Sequence, residues 1–126
     1  MRPQSLAEVA ELTMHGDSFD RGLANFLDGF YPAPAADALA AEPPLLAPRS
    51  GDLGRIQDAY LAATAEELAR RFAFPCPAWT GTAARVLHQP WFASPLAALR
   101  AVLLSESPPA FRARNLFVSD NALTRA

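Results

Sequence analysis

The sequence contains no lysine, and all eleven of its basic residues are arginines. It also has only one isoleucine and four valines, against 27 alanines and 17 leucines. Because β-branched residues favour strands, this scarcity excludes an extensive sheet and predicts a mainly α-helical chain. Most of the twelve prolines are clustered, and proline ends or precedes a helix rather than lying inside one. We therefore expect short helices joined by rigid connections.

Cysteine is scarce as well, since Cys76 is the only one. A single cysteine excludes an internal disulfide and is typical of a reducing compartment. Glu8 and Glu11 lie where a signal peptide needs an apolar core, so no secretion signal is expected. The best apolar run, 96–104, is interrupted by Arg100 and has about half the length that spans a bilayer. These observations predict a cytoplasmic protein with no membrane segment.

The chain has 126 residues and a mass of 13.5 kDa, which suits one compact domain. Hydrophobic residues make up 51% and charged residues 19%, a globular composition. We predict a single small helical domain over 1–126, with at most one short strand or extended C-terminal arm. Its 1–50 part holds acidic helices and a proline-rich connector. Its 51–126 part holds a central helix and an aromatic, arginine-rich C-terminal segment.

Charge is distributed unevenly along the chain. Residues 1–69 hold eleven acidic residues and four arginines, a net charge of -7, whereas residues 70–126 hold two acidic residues and seven arginines, a net charge of +5. Two interpretations are equally open: the halves fold against each other, or one half contacts a charged partner.

Apolar periodicity and capping residues predict the positions of the helices. Ser5 and Glu8 have capping-box spacing before a first helix that ends at Gly16, and Asp17 or Ser18 caps a second helix that ends at Pro32. Further helices are expected over 35–41, 53–72, 82–88, 95–105 and 108–114, and a strand or extended arm over 115–119.

The longest of these, over 53–72, is expected to begin at an Asp52 cap. It buries an apolar stripe and carries exposed Glu66–Arg70 and Glu67–Arg71 pairs. In the helix over 95–105, the inward side chains are expected to be Leu96, Leu99, Val102 and Leu103. The inward residues of the 53–72 helix are expected to be Leu53, Ile56, Tyr60, Leu61, Ala65, Leu68 and Phe72.

No catalytic, metal or cofactor motif is present. His15, His88 and Cys76 lie far apart without ligand spacing, so no metal site is predicted, and no G-x-G-x-x-G, P-loop or G-x-S-x-G pattern indicates a cofactor or a hydrolase. A small enzyme in which His88 activates Cys76 remains an alternative. Asp17, Asp20 and Asp28 are interpreted as solvated residues of a polar helix face.

The segment 111–117 alternates arginines with aromatics, a composition that suits either phosphate contact with base stacking or a protein interface. Helices over 5–14 and 18–30 joined at Gly16 have roughly helix-turn-helix spacing, but Asp20 and Asp28 would repel phosphates. DNA recognition through this pair is therefore not expected. The candidate partner-binding residues are Trp91, Phe92, Arg112, Arg114 and Phe117.

The region 53–126 resembles a family of small bacterial proteins. The resemblance rests on the stretch from Pro77-Ala78-Trp79-Thr80 through Arg85, on Pro90-Trp91-Phe92, on Leu99-Arg100-Ala101, on the stretch from Glu106 to Ser119, and on Asn121-Ala122-Leu123. In some relatives a similar module follows a helix-turn-helix domain, and the genes neighbour those of nucleotidyltransferase-like proteins, as in toxin–antitoxin pairs. This chain shows no obvious helix-turn-helix domain.

We predict a non-enzymatic protein that needs no cofactor, because no catalytic constellation is present, because the acidic N-terminal half could cover a basic nucleotide site, and because the aromatic, arginine-rich segment has the composition of an interface. The resemblance implies that this protein is antitoxin-like and binds a nucleotidyltransferase-type enzyme or toxin, which it either restrains or assists. Two alternatives stay open: a nucleic-acid-binding transcriptional regulator, and a small enzyme that uses Cys76 or His88. The oligomeric state is not predicted.

Overall fold

A computed structural model describes residues 2–125 of the chain and confirms the expected mainly helical fold, with 57% helix and 3% strand. In chain order its helices and strands are α1 (Leu6–Met14), α2 (Phe19–Phe30), α3 (Asp37–Ala40), α4 (Ala47–Arg71), β1 (Trp91–Phe92), α5 (Arg100–Glu106), α6 (Pro109–Arg112) and β2 (Leu116–Phe117). Short 3₁₀ turns occupy Ala78–Gly81, Ala83–Arg85 and Ala97–Leu99. No helix of residues 2–125 is both long and apolar enough to cross a membrane.

The first two helices begin where capping side chains predict. The Ser5 hydroxyl accepts a hydrogen bond from the Glu8 N–H (3.1 Å), and the Ser18 hydroxyl accepts one from the Arg21 N–H (3.2 Å). Between the helices Gly16 has φ of 103°, a conformation that glycine adopts without a steric penalty. Each helix buries one apolar face in a core shared with α4.

Helix α4 runs through the middle of the molecule but begins earlier than predicted. It starts at Ala47 and changes direction at Gly51, which has φ of 60° and ψ of -130°. The carboxylate of Asp58, which lies further along the same helix, caps the start of α4 by accepting hydrogen bonds from the N–H groups of Leu46 (2.7 Å) and Ala47 (3.1 Å). Asp52 was expected to be the cap, but it lies inside α4 and its carboxylate pairs with Arg55 (2.8 Å). Leu53 was expected inside and is exposed, because its neighbour Gly54 is the residue that packs against the connector.

The two strands form a small parallel sheet in which Trp91 pairs with Leu116 and Phe92 with Phe117. The Trp91 N–H donates to the Asn115 carbonyl (2.8 Å), and the Ala93 N–H donates to the Phe117 carbonyl (2.9 Å). Within the stretch 115–119, where a strand or extended arm was expected, only Leu116–Phe117 forms a strand. The sequence analysis did not identify 91–92 as the strand that pairs with it.

The helix expected over 95–105 is divided. A 3₁₀ turn at Ala97–Leu99 precedes α5, and of the four side chains expected to face inward only Leu103 is buried. The inward assignments of Leu96, Leu99 and Val102 are wrong. Helix α5 packs mainly against the two-residue strand β2, which has too little surface to cover more than one aliphatic side chain.

Oppositely charged halves of the chain pair with each other. Arg114 contacts Glu66 (2.8 Å), Arg125 contacts Asp28 (2.9 Å), and Arg85 lies 3.6 Å from Glu42. The Glu67–Arg71 pair forms as expected (2.8 Å), but Glu67 is buried, not exposed, and it also binds Arg70. Because Arg70 binds Glu67, the expected Glu66–Arg70 pair does not form, and Glu66 pairs with Arg114. Internal pairing accounts for much of the charge asymmetry.

Candidate functional site

Four large aliphatic side chains point outward from one short stretch of the surface. The exposed fractions are 61% for Leu96, 40% for Leu99, 44% for Val102 and 46% for Leu104. We call these four residues the α5 surface. Leu96 precedes the 3₁₀ turn, Leu99 ends it, and Val102 and Leu104 lie in α5. Isolated apolar side chains are common on protein surfaces, whereas several exposed ones within nine consecutive residues favour a contact site.

Aromatic residues connect this segment to the sheet. The Phe92 ring stacks on the Phe117 ring with centroids 5.1 Å apart, and the Arg100 guanidinium lies 5.1 Å from the Phe92 centroid. Trp91 and Phe92 are half-buried and keep a surface of their own, whereas Phe117 is buried. Among the three predicted aromatic anchors, Trp91 and Phe92 are therefore partly accessible, and the buried Phe117 ring stacks on Phe92.

The two predicted arginine contacts occupy different environments. Arg114 is buried, and its guanidinium donates to the carbonyls of Ala110 (2.7 Å) and Thr80 (2.8 Å) and to the Glu66 carboxylate (2.8 Å). These contacts are all internal, so Arg114 stabilises the fold. Arg112 is exposed, with one hydrogen bond to the Ser107 carbonyl (2.8 Å).

This difference predicts opposite outcomes for two neighbouring substitutions. Arg114→Ala leaves two buried carbonyls without donors and is expected to lower the free energy of unfolding by about 2–4 kcal/mol. Arg112→Ala is the matched control and is expected to change it by less than about 0.5 kcal/mol. Urea unfolding followed by circular dichroism measures both, and equal effects would contradict the burial of Arg114.

A second feature is an open cleft of about 710 Å³ between α2, α4, the sheet and the C-terminal residues. Its walls are mainly apolar, and its volume lies in the range of small-molecule sites. The residues that matter for its chemistry are Phe19, Asp20, Gln57, Tyr60 and Trp91. We call it the α2–α4 cleft.

Two polar side chains of α4 face this cleft one helical turn apart. Gln57 is only 9% exposed, and its Oε1 atom has no hydrogen-bond donor among the described residues. Burial, with a smaller contribution from the nearby Asp20 carboxylate, raises the pKa of Tyr60 to about 12. The Tyr60 hydroxyl is therefore neutral at physiological pH.

The structure also shows where the residues of the enzyme alternative lie. Cys76 is exposed, and its Sγ atom is 3.3 Å from the Thr80 hydroxyl oxygen. Within residues 2–125 no hydrogen bond joins Cys76 to His88, which is also exposed. The same range contains no group of three or more His, Cys, Asp and Glu side chains that could hold a metal ion.

Sequence reasoning missed a buried polar cluster around Arg85. The Arg85 guanidinium donates to the carbonyls of Asp58 (3.2 Å) and Pro43 (2.5 Å) and lies 4.7 Å from the centre of the Trp79 ring. The Trp79 indole N–H donates to the Leu39 carbonyl (3.0 Å). An arginine within the otherwise uncharged stretch 72–99 was the one sequence signal available.

This cluster fastens the proline-rich connector to the central helix. Arg85 holds the connector at Pro43, and Asp58 holds it at Leu46 and Ala47. Burial raises the pKa of Asp58, while the two backbone hydrogen bonds and the Arg85 charge act in the opposite direction. The cluster is a structural support and lies apart from both the α5 surface and the α2–α4 cleft.

Comparison of the chain with protein-family models, with curated proteins and with solved structures gave no match.

Proposed function

We propose that this protein is a non-enzymatic, antitoxin-like binding partner of a nucleotidyltransferase-type enzyme or toxin, and that it docks through the α5 surface. The observation that carries the proposal is the outward orientation of Leu96, Leu99, Val102 and Leu104. Complete burial of an aliphatic side chain contributes about 1.5–3 kcal/mol, so a partner that covers this surface gains substantial affinity. Trp91 and Phe92 lie on the neighbouring strand and extend the contact.

Charge supports a protein partner over a nucleic acid. Arg114 and Arg85 are buried, and Arg125 is paired with Asp28. The exposed basic side chains near the α5 surface are Arg100 and Arg112, which supply at most about two phosphate contacts. The regulator alternative is thus the weaker of the two binding proposals. The class of the partner comes from the resemblance of 53–126 to antitoxin-like proteins.

The proposal predicts that polar substitutions on the α5 surface weaken the complex. Leu96→Ser combined with Val102→Ser is expected to raise the Kd for the neighbouring nucleotidyltransferase-like gene product at least about tenfold, because two apolar contacts are lost. Isothermal titration calorimetry at two salt concentrations measures this Kd. The Kd of a complex held by buried apolar contacts should depend only modestly on salt.

Leu53→Ser is the matched control. Leu53 is 59% exposed, close to the 61% of Leu96, but it lies in α4 just after the bend at Gly51 and outside the α5 surface. It should leave the Kd unchanged. Equal weakening by the control, or no binding of the unaltered chain to that gene product, would contradict the proposal. Tight sequence-specific binding of its own upstream DNA by the isolated protein would favour the regulator alternative.

A further inference from the structure

The α5 surface is held in its outward position by hydrogen bonds at both ends of the segment. Before it, the Ala93 N–H donates to the Phe117 carbonyl (2.9 Å). After it, the buried Ser107 hydroxyl accepts the Val118 N–H (2.9 Å) and lies 2.6 Å from the Leu103 carbonyl oxygen. The segment cannot fold its apolar side chains against its own chain without breaking these contacts. A cover for the α5 surface therefore has to come from another molecule.

The α2–α4 cleft is the complementary feature of the same chain. Leu23 and Leu27 of α2 and Leu53 and Ile56 of α4 line it at helical spacing, and Leu53 is 59% exposed. A groove between two helices with such a lining suits the apolar face of a further helix. Its volume of about 710 Å³ accommodates several side chains.

Charge complementarity matches the α5 surface to this cleft. Asp20 lines the cleft, is exposed and forms no ion pair with any residue of 2–125. Arg125, the one basic residue of the lining, is bound by Asp28 (2.9 Å). Arg100 is the only charged residue of 93–105, is exposed, and forms no ion pair in the described part of the chain either. Docking of α5 in the cleft would bring this cation towards the Asp20 carboxylate.

The two features are adjacent, which allows a closed assembly. Ala93 lines the cleft, and Leu96, the first residue of the α5 surface, follows three positions later. A two-fold axis between two adjacent patches places each patch opposite the other patch of a second copy, so that both contacts form at once. Such a dimer buries twice the area of a single contact and leaves neither patch open to a third copy.

We propose that a second copy of this chain covers the α5 surface. In the two-fold symmetric dimer the α5 surface of each protomer docks in the α2–α4 cleft of the other, with Arg100 of one protomer facing Asp20 of the other. The dimer does not rest on the proposed function. Because the nucleotidyltransferase-type enzyme would dock on the same α5 surface, that enzyme and the second copy exclude each other.

Sedimentation velocity of the full chain alone, over about 1–500 μM, tests the proposal, and we expect a dimer with a Kd of about 10–100 μM. Asp20→Arg and Arg100→Asp each place like charges at both contacts and should each raise this Kd at least about tenfold. Asp37→Arg is the matched control, because Asp37 is also an exposed aspartate in the first turn of a helix but lies outside the cleft. It should leave the Kd unchanged.

An equimolar mixture of Asp20→Arg and Arg100→Asp should form a heterodimer with a Kd close to that of the unaltered chain. The altered cleft of the first variant receives the altered α5 of the second, so opposite charges meet there, and the reverse contact keeps its original residues. This recovery separates a lost contact from poor folding, because a misfolded variant would not regain affinity on mixing.

The proposal is overturned by a chain that stays monomeric at about 500 μM, by a dimer that neither charge reversal weakens more than Asp37→Arg does, or by a mixture without heterodimer. The two proposals fail separately. Asp20 lies outside the α5 surface, so Asp20→Arg should weaken the dimer and leave the complex with the neighbouring gene product intact, whereas the α5-surface variants should weaken both.

Discussion

Arg85→Ala is expected to lower the free energy of unfolding by about 3–5 kcal/mol, a large part of the stability of a domain of this size. The side chain is completely buried, and its removal leaves the Pro43 carbonyl without a donor and takes from the Asp58 carbonyl the hydrogen bond that it accepts in addition to its helical one. It also removes the cation from the face of Trp79 and leaves a cavity that the neighbouring side chains fill only in part.

Chemical unfolding followed by far-ultraviolet circular dichroism measures the loss. Arg55→Ala is the control, because Arg55 is exposed and pairs with the exposed Asp52, so its removal should cost less than about 0.5 kcal/mol. Arg85→Lys keeps the charge but loses the planar guanidinium that binds two carbonyls at once. Its loss in the free energy of unfolding should therefore lie between those of Arg85→Ala and Arg55→Ala. A loss below about 1 kcal/mol in Arg85→Ala would contradict the role of Arg85 as the anchor of the connector.

Gly54→Ala is expected to lower the free energy of unfolding by about 3 kcal/mol, although alanine favours helices by about 1 kcal/mol over glycine. A Cβ atom at this position would lie 2.5 Å from the carbonyl carbon and oxygen of Leu46 and 2.6 Å from the Ala47 nitrogen. Backbone atoms cannot move aside as a side chain can. The connector would separate from α4, and the Asp58 cap would be lost with it.

Gly22→Ala tests whether this effect is specific. Gly22 is also inside a helix, but a Cβ there would meet only the Val9 Cγ1 atom at 3.6 Å, an ordinary contact. Thermal unfolding should therefore show an unchanged or higher Tm for Gly22→Ala and a much lower Tm for Gly54→Ala. Similar behaviour of the two variants would mean that the connector does not pack against Gly54.

The α5 surface shows what the spacing of apolar residues in a sequence can and cannot predict. Leu96, Leu99, Val102 and Leu103 were expected to face inward because apolar spacing normally identifies a buried face. Only Leu103 is buried. Periodicity indicates that a helix has an apolar face, but whether the same chain supplies a surface to cover that face depends on the packing. The residues that best support a binding function were therefore first interpreted as core.

The buried arginines show the same limit for charge. Arg112 and Arg114 are two positions apart in one arginine-rich segment, and the sequence alone treats them alike. The short helix α6 and its final turn place Arg114 against the carbonyls of Ala110 and Thr80, whereas Arg112 faces solvent. Side chains two residues apart on a helical turn point in different directions, so the packing selects which one is buried.

The sequence by itself determined the helical class, the beginnings of α1 and α2, and the absence of a disulfide. These properties depend on β-branched content, on capping side chains a few residues from their targets, and on the number of cysteines, all of which are local or compositional. Only the tertiary structure decided which apolar face stays uncovered, that Arg85 and Asp58 anchor the connector, and that Gln57 lines a cleft without a donor. Each of these involves residues distant in the chain, and their burial depends on the packing of the whole domain.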